Sequence, residues 1–160
     1  MDLLRAEGNQ LTSLPASLGN LYELDLLDVS ANKLTSLPTT IGNLDDLDIL
    51  KVAHNELTVL PNPISDLDQL ALLDAQGNNL TVWPAQIEQL ITLESLQLQE
   101  NSFTTIPAAV FSLPSLHHLN LRNNMLTELP DGWEGSSALQ IIDFGVNRLT
   151  SLPIALATLD

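Results

Sequence analysis

A 23-residue repeat is the feature that most constrains the fold of this chain. An asparagine recurs seven times at that spacing, with a threonine three residues after it and a proline six residues after it, and no insertion interrupts the pattern. A unit of this length cannot bury its apolar residues alone, but stacked units enclose them in a continuous core. The sequence therefore predicts a single domain, 1–160, without recognisable caps. Its seven repeats are 1–23, 24–46, 47–69, 70–92, 93–115, 116–138 and 139–160.

Each repeat contains one short stretch with the spacing of a β-strand. In the second repeat Leu27 and Val29 are two residues apart, so their side chains point to the same side, and Asp28 between them points to the other. Pro38 follows after an irregular segment, and a proline is excluded from a central strand. We expect one strand per repeat, opposite a wall of loops or short helical segments.

The recurrent asparagine is predicted to be structural. Its side chain offers two donors and one acceptor carbonyl, which suits the unpaired backbone groups of tight turns. An unpaired polar group in the interior costs about 1–3 kcal/mol, so the sequence predicts a buried ladder of asparagine side chains. Its members are Asn9, Asn32, Asn55, Asn78, Asn101, Asn124 and Asn147.

The pattern LxxLxLxxNxLTxLPxxIxxL resembles the leucine-rich repeat in its 23-residue form. It is similar to the repeats of Ras-group-related intracellular proteins of plants and animals and of many bacterial proteins, and it covers the whole chain. The resemblance implies an α/β solenoid. It is a right-handed horseshoe with a parallel concave β-sheet and a convex side of loops or short helices. It also implies a role in binding proteins and no catalysis.

Composition narrows the class of partner. The chain carries 20 acidic and 5 basic residues, for a net charge of -15. Nucleic acid and anionic membranes would be repelled on average, whereas a protein with a basic patch would be attracted. There is no cysteine, and no apolar run approaches the roughly 20 residues that span a bilayer. We expect a cytoplasmic protein without a cofactor, with a secreted or bacterial surface protein as the alternative.

Alternation along the strands defines the candidate binding face. Residues six, four and two before each asparagine are predicted to point to the concave surface. On the first repeats they form an apolar strip that includes Leu26, Ile49 and Leu72. On the later repeats they form a polar patch of Ser95, Gln97, Gln99, His118, Asn120, Arg122 and Asp143.

Among the residues that lie four positions before each asparagine, the first four alternate in charge. Arg5, Asp28, Lys51 and Asp74 occupy successive strands there. With parallel strands about 4.8 Å apart, we expect these side chains to form a ladder of ion pairs across the sheet.

Two other readings of the polar patch are weaker. A zinc site needs several converging ligands, and only His118 and Asp143 are placed to converge, since His117 is out of phase and His54 lies in a distant turn. For catalysis, His118 has no serine or cysteine nucleophile in an obvious relay, and Ser95 on an open strand lacks an oxyanion hole. We expect neither a metal nor a catalytic residue.

Calcium is a further alternative at the junction of the second, third and fourth repeats. Carboxylates crowd this region, and oxygen ligands suit calcium. The sequence contains no glycine-punctuated calcium loop, so a solvated acidic rim is favoured. The residues concerned are Asp25, Asp45, Asp46, Asp48, Asp66 and Asp68.

The sixth repeat departs most from the pattern, in the stretch PDGWEGSSAL. Trp133 stands where isoleucine or leucine recurs, and Ser136 stands where leucine recurs. We favour a buried Trp133 that fills the space left by Ser136. An exposed Trp133 would instead be a candidate hot spot for binding.

Two functions remain open. The first is a non-catalytic module that binds a protein partner on its concave face. The second is a targeting or autoinhibitory segment of a larger signalling enzyme such as a kinase, a GTPase or a ubiquitin ligase. The uncapped ends favour the second and also permit self-association, because an open strand edge invites pairing with another chain.

Overall fold

The computed structural model describes residues 1–133 and 138–154. Within them seven three-residue strands form one parallel sheet in chain order, β1 to β7. The solenoid predicted from the repeat is confirmed. The strands are β1 Leu3–Arg5, β2 Leu26–Asp28, β3 Ile49–Lys51, β4 Leu72–Asp74, β5 Ser95–Gln97, β6 His118–Asn120 and β7 Ile141–Asp143.

The strand register repeats with the period of the sequence. Leu4 pairs with Leu27, Leu27 with Leu50, and so on along the stack, so the central residue of each strand meets its counterpart 23 residues later. These central side chains point inward, and Leu27 and Leu50 are fully buried. Since every inward leucine packs on the equivalent residues of its neighbours, the core is one continuous column of apolar side chains.

Short 3₁₀ helices form the opposite wall, as the proline positions suggested. Of the five that lie wholly within the described residues, four begin directly after the recurrent proline, whose fixed φ holds the chain extended before the turn. The fourth is shorter and begins after Gln86, which adopts a left-handed conformation. The helices are η1 Ala16–Asn20, η2 Thr39–Asn43, η3 Asn62–Asp66, η4 Ile87–Gln89 and η5 Ala108–Ser112.

The asparagine side chains join neighbouring coils. Asn55 Nδ2 donates to the carbonyl of Val29 in the previous repeat at 3.1 Å and to that of Val52 in its own repeat at 3.1 Å. Its Oδ1 accepts from the backbone N–H of Leu34 in the previous repeat at 2.9 Å. Asn9 differs, because it is exposed and bonds only to carbonyls of its own coil. The buried ladder therefore begins with the second repeat.

The residue before each asparagine adopts a positive φ in all seven repeats. Glycine holds this position only twice, at Gly8 and Gly77. The other five repeats place non-glycine residues there, with φ between 52° and 59°, at a steric cost of about 1–2 kcal/mol each. They are Ala31, His54, Glu100, Asn123 and Val146.

Trp133 is fully buried, as predicted. Its ring stacks on Phe111 with centroids 3.9 Å apart and meets Phe144 edge-on at 6.0 Å. Its Nε1 donates to the carbonyl of Pro130 at 2.6 Å. Ser136, whose missing volume Trp133 is predicted to fill, lies outside the described residues.

Candidate protein-binding face

The concave face is the outward side of the sheet, formed by the residues six, four and two before each asparagine. Its apolar strip exposes less surface than its residue types suggest. Leu26 is only 9% exposed, and Ile49 and Leu72 are partly buried by their neighbours on adjacent strands. Leu3, on the first strand, remains 53% exposed. The strip is therefore a shallow apolar floor.

The predicted ladder of ion pairs is wrong. The register does place Arg5 beside Asp28, Asp28 beside Lys51 and Lys51 beside Asp74. Yet among the described residues the ion pairs within 4.0 Å are those of the Met1 amino group with Asp2 and of Arg122 with Asp143.

Backbone N–H groups at the ends of the strands instead bind one oxygen of these aspartate side chains. Asn32 Nδ2 donates to the carbonyl of Ala6 at 2.9 Å, and the N–H of Ser30 donates to Asp28 Oδ1 at 3.0 Å. The bond to Asp28 occupies only one carboxylate oxygen, and an exposed ion pair at the other contributes only about 0–1 kcal/mol, which is too little to fix Arg5 or Lys51 there. The same bond recurs where Asp74, Asn120 and Asp143 accept from the N–H two residues ahead.

The polar patch contains a cluster centred on Gln97. Its Nε2 donates to Ser95 Oγ at 3.0 Å and lies 3.2 Å from His118 Nδ1. The amide nitrogen can only donate, so Nδ1 is the acceptor in this contact. The three side chains, on two adjacent strands, are thus brought together as predicted by register.

A second chain of polar side chains runs beside this cluster. Asp74 accepts from Gln76 Nε2 at 3.2 Å, and Gln76 Oε1 accepts from Gln99 Nε2 at 2.6 Å. Gln99 Oε1 is buried and has no hydrogen-bond partner among the described residues. The sequence pattern places Gln76 on this face but assigns it no role. The signal for its bond to Gln99 is that both are glutamines at equivalent positions of successive repeats.

Arg122 lies over Gly145 on the next repeat. Its Nη1 is 3.8 Å from Asp143 Oδ2, and both side chains are substantially exposed. A Cβ atom on residue 145 would come within 2.5 Å of Nη1. The absence of a side chain at Gly145 therefore makes room for the guanidinium group, a role that the sequence analysis missed.

No metal site is formed by the part of the chain that the structure describes. It contains no group of three or more histidine, cysteine or acidic side chains placed to hold an ion. His118 and Asp143 do not converge: the first contacts Gln97, and the second pairs with Arg122. Likewise, residues 1–133 and 138–154 include no helix with the length and apolar character needed to cross a bilayer.

Two family models match the sequence. One, described as a leucine-rich repeat region, matches residues 2–108, and the other, described as a leucine rich repeat, matches residues 91–149. No curated protein matches the chain.

Solved structures share the fold. A leucine-rich repeat protein of Leptospira interrogans is 29% identical, with a TM-score of 0.73 over 95% of this chain and 45% of its own. The plant peptide hormone receptor RGFR1, in complex with RGF2, is 28% identical, with a TM-score of 0.87 over 99% of this chain and 27% of its own. The HAESA receptor kinase ectodomain of Arabidopsis, in complex with an IDA peptide hormone ligand, is 29% identical. Its TM-score is 0.78 over 91% of this chain and 26% of its own.

This chain spans less than half the length of each of these three structures.

Proposed function

Because the chain belongs to the leucine-rich repeat family, we propose that it is a non-catalytic module that binds a protein or peptide partner on its concave face. The observation that carries this proposal is a group of side-chain amides on the concave surface of the sheet. Gln76, Gln97, Gln99 and Asn120 all lie there, partly exposed. A side-chain amide has both donors and an acceptor, so the backbone of an extended partner segment can replace the bonds that these side chains make to one another.

Structural neighbours support the peptide-binding version of this proposal. RGFR1 and HAESA were both solved in complex with peptide ligands. Seven strands at about 4.8 Å give a face roughly 30 Å across, which is comparable with one side of a standard interface. The shallow apolar floor of Leu26, Ile49 and Leu72 would then hold apolar side chains of the partner, while the amides pair with its backbone.

The charge of the chain favours a partner with a basic patch. A net charge of -15 attracts cationic segments from a distance and accelerates their association. Screening shortens the range of this attraction to about 8 Å at physiological ionic strength. We therefore expect the association rate to fall as salt is added, with a smaller change in the dissociation rate.

A pair of variants within one repeat tests the proposal. Ser95→Trp places a large ring in the middle of the concave face, whereas Ala108→Trp places the same ring on an exposed residue of η5 on the opposite wall. Each folded variant is used to capture proteins from lysate of the source cells, and the captured proteins are identified by mass spectrometry. Loss of a partner with Ser95→Trp but not with Ala108→Trp supports the concave face. Equal retention by both variants excludes it.

A second candidate function is suggested by the lengths of the matched structures. The chain covers only 26% of the HAESA ectodomain, which belongs to a receptor kinase. In this version the seven repeats are a targeting or autoinhibitory segment of a longer signalling enzyme. Kinase, GTPase or ligase motifs in the adjoining reading frame would favour it, and a frame without them would count against it.

A further inference from the structure

Asp74, Gln76 and Gln99 form a series of hydrogen-bonded side chains on the concave face. The last acceptor of this series, Gln99 Oε1, has no donor among the described residues. The Asp74 carboxylate can only accept, so Gln76 must turn its Nε2 toward it and its Oε1 toward Gln99. Gln99 must then turn its Nε2 toward Gln76. Its Oε1 is left buried and unpaired among the described residues. The orientation of both amides is therefore fixed by one carboxylate, and flipping Gln99 would not remove the unpaired acceptor.

Arg122 is the charged donor that lies on the strand end next to Gln99. It follows Gln99 in the same row of the next repeat, and the adjoining backbones are bonded, since the N–H of Glu100 donates to the carbonyl of Arg122 at 2.9 Å. Its guanidinium group turns the other way, over Gly145 toward Asp143. The separation of 3.8 Å from Asp143 Oδ2 is an ion pair without a hydrogen bond.

We propose that the Asp143 carboxylate is the docking point for a lysine or arginine side chain of the partner, and that Arg122 holds this place in the free protein. On binding, the partner's cation replaces Arg122 at Asp143, and Arg122 turns to donate to Gln99 Oε1. This inference rests on the proposed function and names the chemistry that the concave face recognises.

Three features of the site favour this exchange. The carboxylate of Asp143 is 38% exposed, so a cation can approach it from solvent. Gly145 has no side chain, and the guanidinium group of Arg122 fills the space where one would stand. The exchange also conserves the ion pair at Asp143, while it gives Gln99 the donor that it lacks.

The test uses a blocked peptide with one lysine, acetyl-Gly-Gly-Lys-Gly-Gly-amide, at low salt. Binding is followed by NMR at the backbone amide of Gly145, which donates to Asp143 Oδ1 at 2.7 Å. Arg122→Ala removes the competitor and should raise the affinity about two- to fivefold, the range of an exposed ion pair. Arg148→Ala removes the same charge from an exposed residue of the repeat that contains Asp143 and should raise the affinity less.

A coupling between two further variants separates this exchange from a general charge effect. Gln99→Met removes the acceptor for the displaced arginine and should lower the affinity of the wild type. In the Arg122→Ala background Gln99→Met should have no effect, because no arginine needs the acceptor. Asp143→Asn should abolish the response at Gly145 in either background.

An affinity that is unchanged or weaker in Arg122→Ala, or that rises no more than in Arg148→Ala, overturns the proposal. An equal effect of Gln99→Met in both backgrounds also overturns it. Neither result bears on the concave face as a whole, because Ser95→Trp tests that function separately.

Discussion

The side-chain amide of Asn78 donates to the backbone carbonyl of Val52 at 3.0 Å, although the two residues lie 26 positions apart in the chain. The same amide bonds to Ala75 within its own coil, and its Oδ1 accepts from Leu57 N–H. One side chain thus pairs backbone groups of two coils. Neighbouring repeats are held together by these bonds as well as by the leucine core.

Asn78→Asp should strongly destabilise the protein. A carboxylate cannot donate, so the buried carbonyls of Val52 and Ala75 each lose one of their two asparagine donors, and a charge is buried besides. We expect a loss of about 3 kcal/mol or more in the free energy of unfolding, measured by urea denaturation. Asn9→Asp is the matched control, because Asn9 is exposed and bonds only within its own coil. Similar losses for the two variants would contradict the role of the ladder.

The fold could be predicted from the sequence because one repeated unit determines it. The spacing of Leu27 and Val29, the asparagine and the proline each specify one part of the coil, and every repeat supplies the same information again. The positive φ before each asparagine could not be predicted, because Ala31, His54 and Val146 share no side-chain property that requires it. There the geometry of the turn overrides local preference.

The concave face was predictable only in part. Alternation along the strands identifies which side chains share the surface, and the contact between Gln97 and His118 follows from the register. The partners of charged side chains did not follow. Asp28 accepts from the N–H of Ser30 and makes no ion pair with Arg5 or Lys51. That bond depends on a backbone group that the sequence does not display.

Val146→Gly should stabilise the protein. Val146 is 60% exposed and has a φ of 54°, which is unfavourable for a β-branched residue. Glycine adopts this conformation without steric cost. We therefore expect the free energy of unfolding, measured by heat or urea denaturation, to rise by about 1 kcal/mol. Val82→Gly is the control, since Val82 is similarly exposed at 58% but has no positive φ. Val82→Gly should destabilise the protein. A lower free energy of unfolding for both variants would show that the turn imposes no strain on Val146.

Gly42→Ala should destabilise the helical wall. A Cβ atom on Gly42 would overlap the backbone carbonyl of Pro63 in the next repeat, and backbone cannot move aside easily. We expect a loss of about 1–3 kcal/mol, the usual range for overpacking. Ser65 occupies the equivalent position one repeat later and tolerates a side chain there, donating to the carbonyl of Ala85 at 2.8 Å. Ser65→Ala should therefore cost only that hydrogen bond, about 1 kcal/mol. A larger loss for Ser65→Ala than for Gly42→Ala would contradict the close approach of η2 and η3.

Trp133→Ala should be among the most destabilising substitutions. The ring is fully buried between Phe111 and Phe144, and its removal leaves a cavity next to both. We expect a loss of about 3–5 kcal/mol in the free energy of unfolding, followed by far-UV circular dichroism because the substitution removes a fluorophore. Trp133→Phe keeps an aromatic ring against Phe111 but loses the bond to Pro130, and should cost less. Since the indole does not reach solvent, the folded fraction of either variant should capture the same partner as the wild type. A small stability loss together with a lost partner would instead identify Trp133 as a binding residue.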